Sequence, residues 1–222
     1  MANLTCDHGS IRACMMRIAE LSATGATPSG NDLYVSNTLV ELVLEPEVRE
    51  GESIEQQNGC GDYCIDFKGD DITRWWNATL KICEPDAELS ALIASGFVAL
   101  ATGADTVGGK FPPLGRAVPS SGVSIELWSV RLAEDGQTQD GTFGYYQWAL
   151  PRTRSWRPTG RTFGNTALQN EFVGRVFANS NWGNGPANDW GTHDTTDSPL
   201  IYIADAAPPV SACGLQVVGA QT

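Results

Sequence analysis

Stretches in which apolar and polar residues alternate recur along this chain, and they recur without long helical segments between them. Ile72 to Cys83 reads ITRWWNATLKIC, with Ile72, Trp76, Ala78, Leu80 and Ile82 on one side. Val123 to Glu134 reads VSIELWSVRLAE, where Val123, Ile125 and Leu127 alternate with Ser124, Glu126 and Trp128. Successive side chains of a strand point to opposite faces, so a period of two marks a strand with one face in a core. Leu33 to Val48 alternates as well, with Val40, Leu42 and Leu44 on one face and Leu39, Glu41, Val43, Glu45 and Glu47 on the other. That pattern predicts a half-buried strand with an acidic outer face. FGYYQWALP, NEFVGRVFAN and LIYIAD follow as further strand-like segments. The expected fold is mainly β, with antiparallel sheets packed as a sandwich or barrel; 24 glycines and 12 prolines supply the turns.

One segment departs from this period. EPDAELSALIASG places Pro85 near a helix start, acids in the first turn, Leu89, Leu92 and Ile93 at helical spacing, and Gly96 where a cap belongs. It predicts one flanking helix over about residues 85–95. Asn58-Gly59 favours a positive-φ turn between two extended segments, so a long hairpin excursion is expected there. Gly103 to Pro119 is rich in Gly and Pro and reads as a loop, and ATGATPSGND as a flexible connection. The organisation expected is an N-terminal arm over 1–32, one β domain over 33–205 and a C-terminal arm over 206–222. A chain of 222 residues suffices for one substantial core.

Charge is distributed unevenly. The formal net charge is -12 and the pI about 4.5, a balance under which counterion release would oppose rather than drive binding to phosphate. From Glu41 to Asp71 ten acids (Glu41, Glu45, Glu47, Glu50, Glu52, Glu55, Asp62, Asp66, Asp70, Asp71) face only Arg49 and Lys68, so most of the excess lies here. Against this stand Arg152, Arg154, Arg157 and Arg161 in PRTRSWRPTGR, read as one basic loop. Either this is a solvated loop, or its obvious acidic partner is the Glu45 to Glu55 excursion of a neighbouring copy. Contacts between two different patches of one chain generate rings or filaments.

Catalytic patterns are weak throughout. His8 and His193 are the only histidines, and no serine occupies a G-x-S-x-G elbow. GADTVGGK falls short of a phosphate loop, because Lys110 comes one place late and Phe111 stands where a hydroxyl would hold magnesium. Asp189, Asp194 and Asp197 do not follow an EF-hand spacing. Cys6, Cys14, Cys60, Cys64, Cys83 and Cys213 read mostly as small buried thiols. Cys60 and Cys64 with Cys6 and His8 would offer zinc donors, but not at a common zinc spacing. Of the seven tryptophans, Trp76 is expected in the core and the others in subunit contacts or loops, in preference to a sugar-binding face. No metal, cofactor or catalytic residue is expected. The N-terminus MANLTCDHGSIRAC lacks the basic and apolar regions of a secretory signal, and no apolar run is long enough to cross a membrane.

The run from Val40 to Gly96 carries Glu50-Gly51-Glu52, then NGCGDYC from Asn58 to Cys64, then CEPDAEL from Cys83 to Leu89. In that order these elements resemble the major tail proteins that build the tail tube of long-tailed, siphovirus-type bacteriophages. The stretch from Tyr145 to Trp190 is similar to the second half of the same family, so the resemblance spans about Leu33 to Trp190. It implies a β-sandwich with a flanking helix, a long loop and terminal arms, assembled as hexameric rings that stack into a tube. It also implies partners: a tape-measure protein in the lumen, tail terminator and distal tail or baseplate proteins at the tube ends, and double-stranded DNA in transit. Such a protein is made in the host bacterial cytoplasm and resides in the virion. On that reading Glu41, Glu45, Glu47, Glu50, Glu52 and Glu55 face the lumen or the next ring, and Arg152, Arg154, Arg157 and Arg161 meet another subunit. The alternatives are a head decoration or baseplate component, and a carbohydrate-binding β-sandwich.

Overall fold

The computed structural model describes residues 10–27, 32–83, 86–94, 96–103, 105–113, 115, 122–131, 144–159, 169–187, 190, 197–204, 207–209 and 214–217. Among them the chain runs β1 (Ser10–Glu20), β2 (Asp32–Ser36), β3 (Leu39–Arg49), β4 (Ser53–Gln57), β5 (Tyr63–Lys68) and β6 (Ile72–Ile82), then α1 (Ala87–Ile93). It continues as β7 (Val98–Thr102), β8 (Asp105–Lys110), β9 (Val123–Arg131), β10 (Tyr145–Pro158), β11 (Asn170–Phe177), β12 (Ile201–Ala204) and β13 (Gly214–Val217). Nine strands form one antiparallel sheet in the order β13-β2-β1-β9-β10-β11-β6-β3, with β12 paired to β10. β4–β5 and β7–β8 are two-stranded hairpins. The protein is therefore mainly β, antiparallel and sandwich-like, with one helix among the described residues.

β10 joins the two halves. One edge pairs with β9, while the other pairs first with β12 through Tyr146 to Ala149 and then with β11 through Arg152 to Pro158. Register shifts between Leu150 and Thr153 and between Arg154 and Arg157 bend it, as bulges do where a strand turns a corner. The sheet curls until β3 approaches β1, enclosing Met16, Ile18, Leu80, Ile125, Leu150 and Phe172 at 0% exposure. Each such burial contributes about 1.5–3 kcal/mol. The helix closes this core with Leu89, Ile93 and Ala94. Asp86 caps it by accepting from the Leu89 amide at 2.9 Å, and the Tyr34 hydroxyl on β2 donates to the same carboxylate.

Several expectations change. The segment assigned to an N-terminal arm supplies β1, an interior strand between β2 and β9, because Met16, Ile18 and Ala19 have faces to bury. Part of the expected C-terminal arm pairs with β2 as β13. The Gly/Pro-rich 103–119 stretch contains β8, hydrogen-bonded to β7. Gly109 belongs there because a Cβ would stand 2.1 Å from the Phe97 ring. The helix is shorter than expected, ending at Ile93. A register shift between Leu39 and Glu41 turns Val40 outward at 47% exposure and packs Leu39 with Leu42 and Leu44 on the core. Ile72, also expected inside, is 64% exposed.

The second face of β9 and β10 is covered too. Leu21, Ala149, Trp182 and Trp190 form a separate buried cluster, and Glu126, which alternates with Ile125 and Leu127, is 1% exposed.

Candidate functional site

β3 and β6 pair along their length, from Leu39 opposite Ile82 to Arg49 opposite Ile72, and beyond that end β4 and β5 continue as a projecting arm. Gly51 allows the join, since a Cβ there would lie 1.9 Å from the Gly69 carbonyl oxygen. At the tip the Gly61 amide donates to the Asn58 carbonyl at 3.0 Å and the Asn58 amide to the Asp62 carbonyl at 2.8 Å. The Asn58 side chain accepts from the Cys60 and Asp62 amides, and Gly61 has φ 91°. This is a three-residue loop with a glycine bulge, so the positive φ falls on Gly61 rather than on the Asn58-Gly59 pair.

All of β4 and β5 is exposed. Ile54 pairs with Phe67 and Gln56 with Ile65, and directly opposed residues share a face. With Tyr63 they form an apolar face whose Ile54, Ile65, Phe67 and Tyr63 are 45–58% exposed. On the other face Glu55 stands opposite Asp66 and Ser53 opposite Lys68.

The six glutamates expected at the site divide accordingly. Glu41 pairs with Lys81 at 2.7 Å, and this hydrogen bond and charge hold the ammonium above its ordinary 10.5. Glu47 accepts from the Asn77 amide nitrogen at 3.2 Å. Glu45, Glu50, Glu52 and Glu55 are exposed and make no ion pair among the described residues.

The arginines lie on strand β10 rather than in a loop. Arg152 is half-buried beside Gly25, while Arg154 lies along Gly122, and the Nε atoms of both are buried without a hydrogen-bond partner. Arg161 lies outside the described residues. Arg154 opposes Arg175 and Arg157 opposes Val173, with the bulge between them centred on Ser155 at φ 59°. Residues three apart in a regular strand face opposite ways; the bulge puts Arg154 and Arg157 on one face.

Arg175 was missed in the sequence, although its alternation with Phe172, Gly174 and Val176 signals an outward position. Its guanidinium lies 4.7 Å from the centre of the Trp75 ring, and that of Arg74 lies 4.5 Å from the same ring. Arg157 and Arg175, with Asn77, Thr79, Ser155 and Val173, line a groove of about 460 Å³. Glu45 occupies the same sheet face, opposite Asn77, which is opposite Arg175. Two strand spacings amount to about 10 Å, which keeps these charges apart within one chain.

Trp128, Trp156, Trp182 and Trp190 are buried and Trp75, Trp76 and Trp148 half-buried, so no row of exposed indoles forms. Trp76 is thus less buried than expected and four others more so. Cys60, Cys64 and Cys83 are free and exposed rather than buried, Cys60 and Cys64 lying at the arm tip. Cys6, His8 and His193 lie outside the described residues. Among the described residues no three His, Cys, Asp or Glu side chains converge as metal donors, and no helix is long and apolar enough to cross a membrane. Comparison with protein-family models and with curated protein sequences returns no match.

Proposed function

We propose that this chain is a structural, self-assembling subunit that stacks as hexameric rings into the tail tube of a long-tailed bacteriophage. The observation that carries the reading is the β4–β5 arm, which exposes both faces to solvent. An isolated two-stranded hairpin is marginally stable in water, and Ile54, Ile65, Phe67 and Tyr63 make a contiguous apolar strip on it. Such a strip marks a surface that another molecule covers. The resemblance of the ordered elements from Glu50 to Leu89 supplies the kind of assembly.

In this reading the partners are further copies of the chain, the tape-measure protein in the lumen, and terminator and distal tail or baseplate proteins at the tube ends. The acidic excess of the chain, -12 in net charge, would repel passing DNA and keep it mobile. The partly buried tryptophans weigh against a sugar-binding sheet.

Electron microscopy and sedimentation of the purified full chain over rising concentration test this. Hexameric rings or long hollow tubes are expected. Monomers that persist and bind glycans would sink the proposal, and trimers that bind capsids would move the chain to the head-decoration alternative.

A further inference from the structure

Two cross-strand pairs in this chain place like charges directly opposite one another. Arg154 opposes Arg175 on the outer face of β10–β11, and Glu55 opposes Asp66 on one face of the arm. Opposed like charges destabilise an antiparallel pair. Among the described residues neither pair makes an ion pair, the salt bridges there being Arg17–Glu126 and Lys81–Glu41. The Arg154 Nε is moreover buried without a partner. Arg157 extends the basic pair to three, and the groove it lines with Arg175 is open to solvent at an exposed arginine.

We infer that the acidic face of the arm, Glu55 and Asp66, docks onto the Arg154–Arg157–Arg175 face of a second copy. Both faces are antiparallel ladders, so their opposed residues have the same spacing of about 4.5–5.5 Å between Cα atoms. Two carboxylates therefore meet guanidiniums at matched intervals, and each like-charge pair loses its repulsion in the contact. The two surfaces are different patches of one chain, so the contact is heterologous and propagates from copy to copy. The intervening strand β6, where Asn77 stands between them, keeps Glu45 of the same chain from neutralising Arg175, leaving the arginines to an incoming acid. Duplex DNA is the less suited partner, because the whole chain carries -12. This contact rests on the self-assembly reading and names the surfaces it uses.

Charge reversal separates it from a folding effect. Arg175→Glu gives Arg154 an opposed acid, and Asp66→Lys gives Glu55 an opposed base, so each variant should keep or raise the thermal midpoint of the isolated subunit. Each should nevertheless lower the sedimentable assembly by about tenfold or more. Pairing Arg157→Glu with Arg175→Glu in one chain, and Glu55→Lys with Asp66→Lys in another, should yield two chains that fail alone and co-assemble when mixed. Assembly of either double variant at the level of the native chain overturns the contact while leaving self-assembly standing, as does failure of the folded pair to co-assemble. A native chain that never assembles overturns both. Duplex DNA retention that is lost on reversing Arg157 and Arg175, with assembly unchanged, reassigns the face to phosphate and also overturns the contact.

Discussion

The Nε of Arg17 on β1 donates to Oε2 of Glu126 on β9 at 2.6 Å, with 1% of each side chain exposed. The other carboxylate oxygen accepts from Gln147 at 2.9 Å and from the Trp190 indole at 2.8 Å. Arg17 also lies 5.0 Å from the centre of the Trp128 ring. One carboxylate thus ties together two neighbouring strands, β10 and the loop that covers the second core. Taking two charges out of water is costly, and a network tolerates it when the donors and acceptors are matched.

Removing either side of that pair leaves an uncompensated buried charge. Glu126→Ala is expected to lower unfolding free energy by about 3–5 kcal/mol, read from urea denaturation, with Arg17→Ala comparable. A loss under about 1 kcal/mol would show that water or a rearranged neighbour replaces the partner.

Gly174 lies beneath Trp156, where an added Cβ would stand 2.4 Å from ring carbon Cδ2. Gly174→Ala should cost about 1–3 kcal/mol by overpacking. Because the β10 bulge adjoins Trp156, the near-ultraviolet circular dichroism of the indoles should change as well. An unaltered spectrum and midpoint would mean that the ring moves aside freely.

Asn179 is buried and donates through Nδ2 to the carbonyl oxygens of Gly25 at 2.8 Å and Pro151 at 3.0 Å. It clamps two distant segments at a bulge in β10. Asn179→Ala leaves both carbonyls unsatisfied and is expected to destabilise by about 1–3 kcal/mol, with faster amide exchange in residues 22–25. Unchanged exchange there would place the anchoring of that turn elsewhere.

The apolar side of the arm makes a prediction of the opposite kind. Ile65→Ser with Phe67→Ser removes side chains that are 45% and 57% exposed, so stability should stay within about 0.5 kcal/mol. Assembly, by contrast, should fall by about tenfold or more if these residues anchor a subunit interface. Equal assembly of the variant and the native chain would assign the apolar strip no part in association.

Alternation alone was enough to recognise β6 and β9 and the inward set Ala78, Leu80, Ile82, Val123, Ile125 and Leu127, all buried. A strand's side-chain period is local, as is the helical spacing of Leu89, Leu92 and Ile93 that marked α1, although its caps are Asp86 and Ala94 rather than the expected Gly96. The acidic outer edge of β3 was legible for the same reason. Parity failed wherever an extra residue entered a strand: the shift after Leu39 exchanged Leu39 and Val40, and the bulge at Ser155 gathered arginines onto one face of a strand that reads in sequence as a loop. A bulge is chosen by how β10 bends between β9 and β11, which no window of neighbouring residues contains.

The same holds for what covers a face. Alternation in β9 announces that Glu126 and Trp128 point away from Leu127, but their burial depends on Arg17, Gln147 and Trp190, brought from far along the chain. Arg175 opposite Arg154 and Asp66 opposite Glu55 are likewise products of register between strands. Local periodicity is written in neighbouring residues, whereas register, coverage and unrelieved charge arise only when distant strands pair.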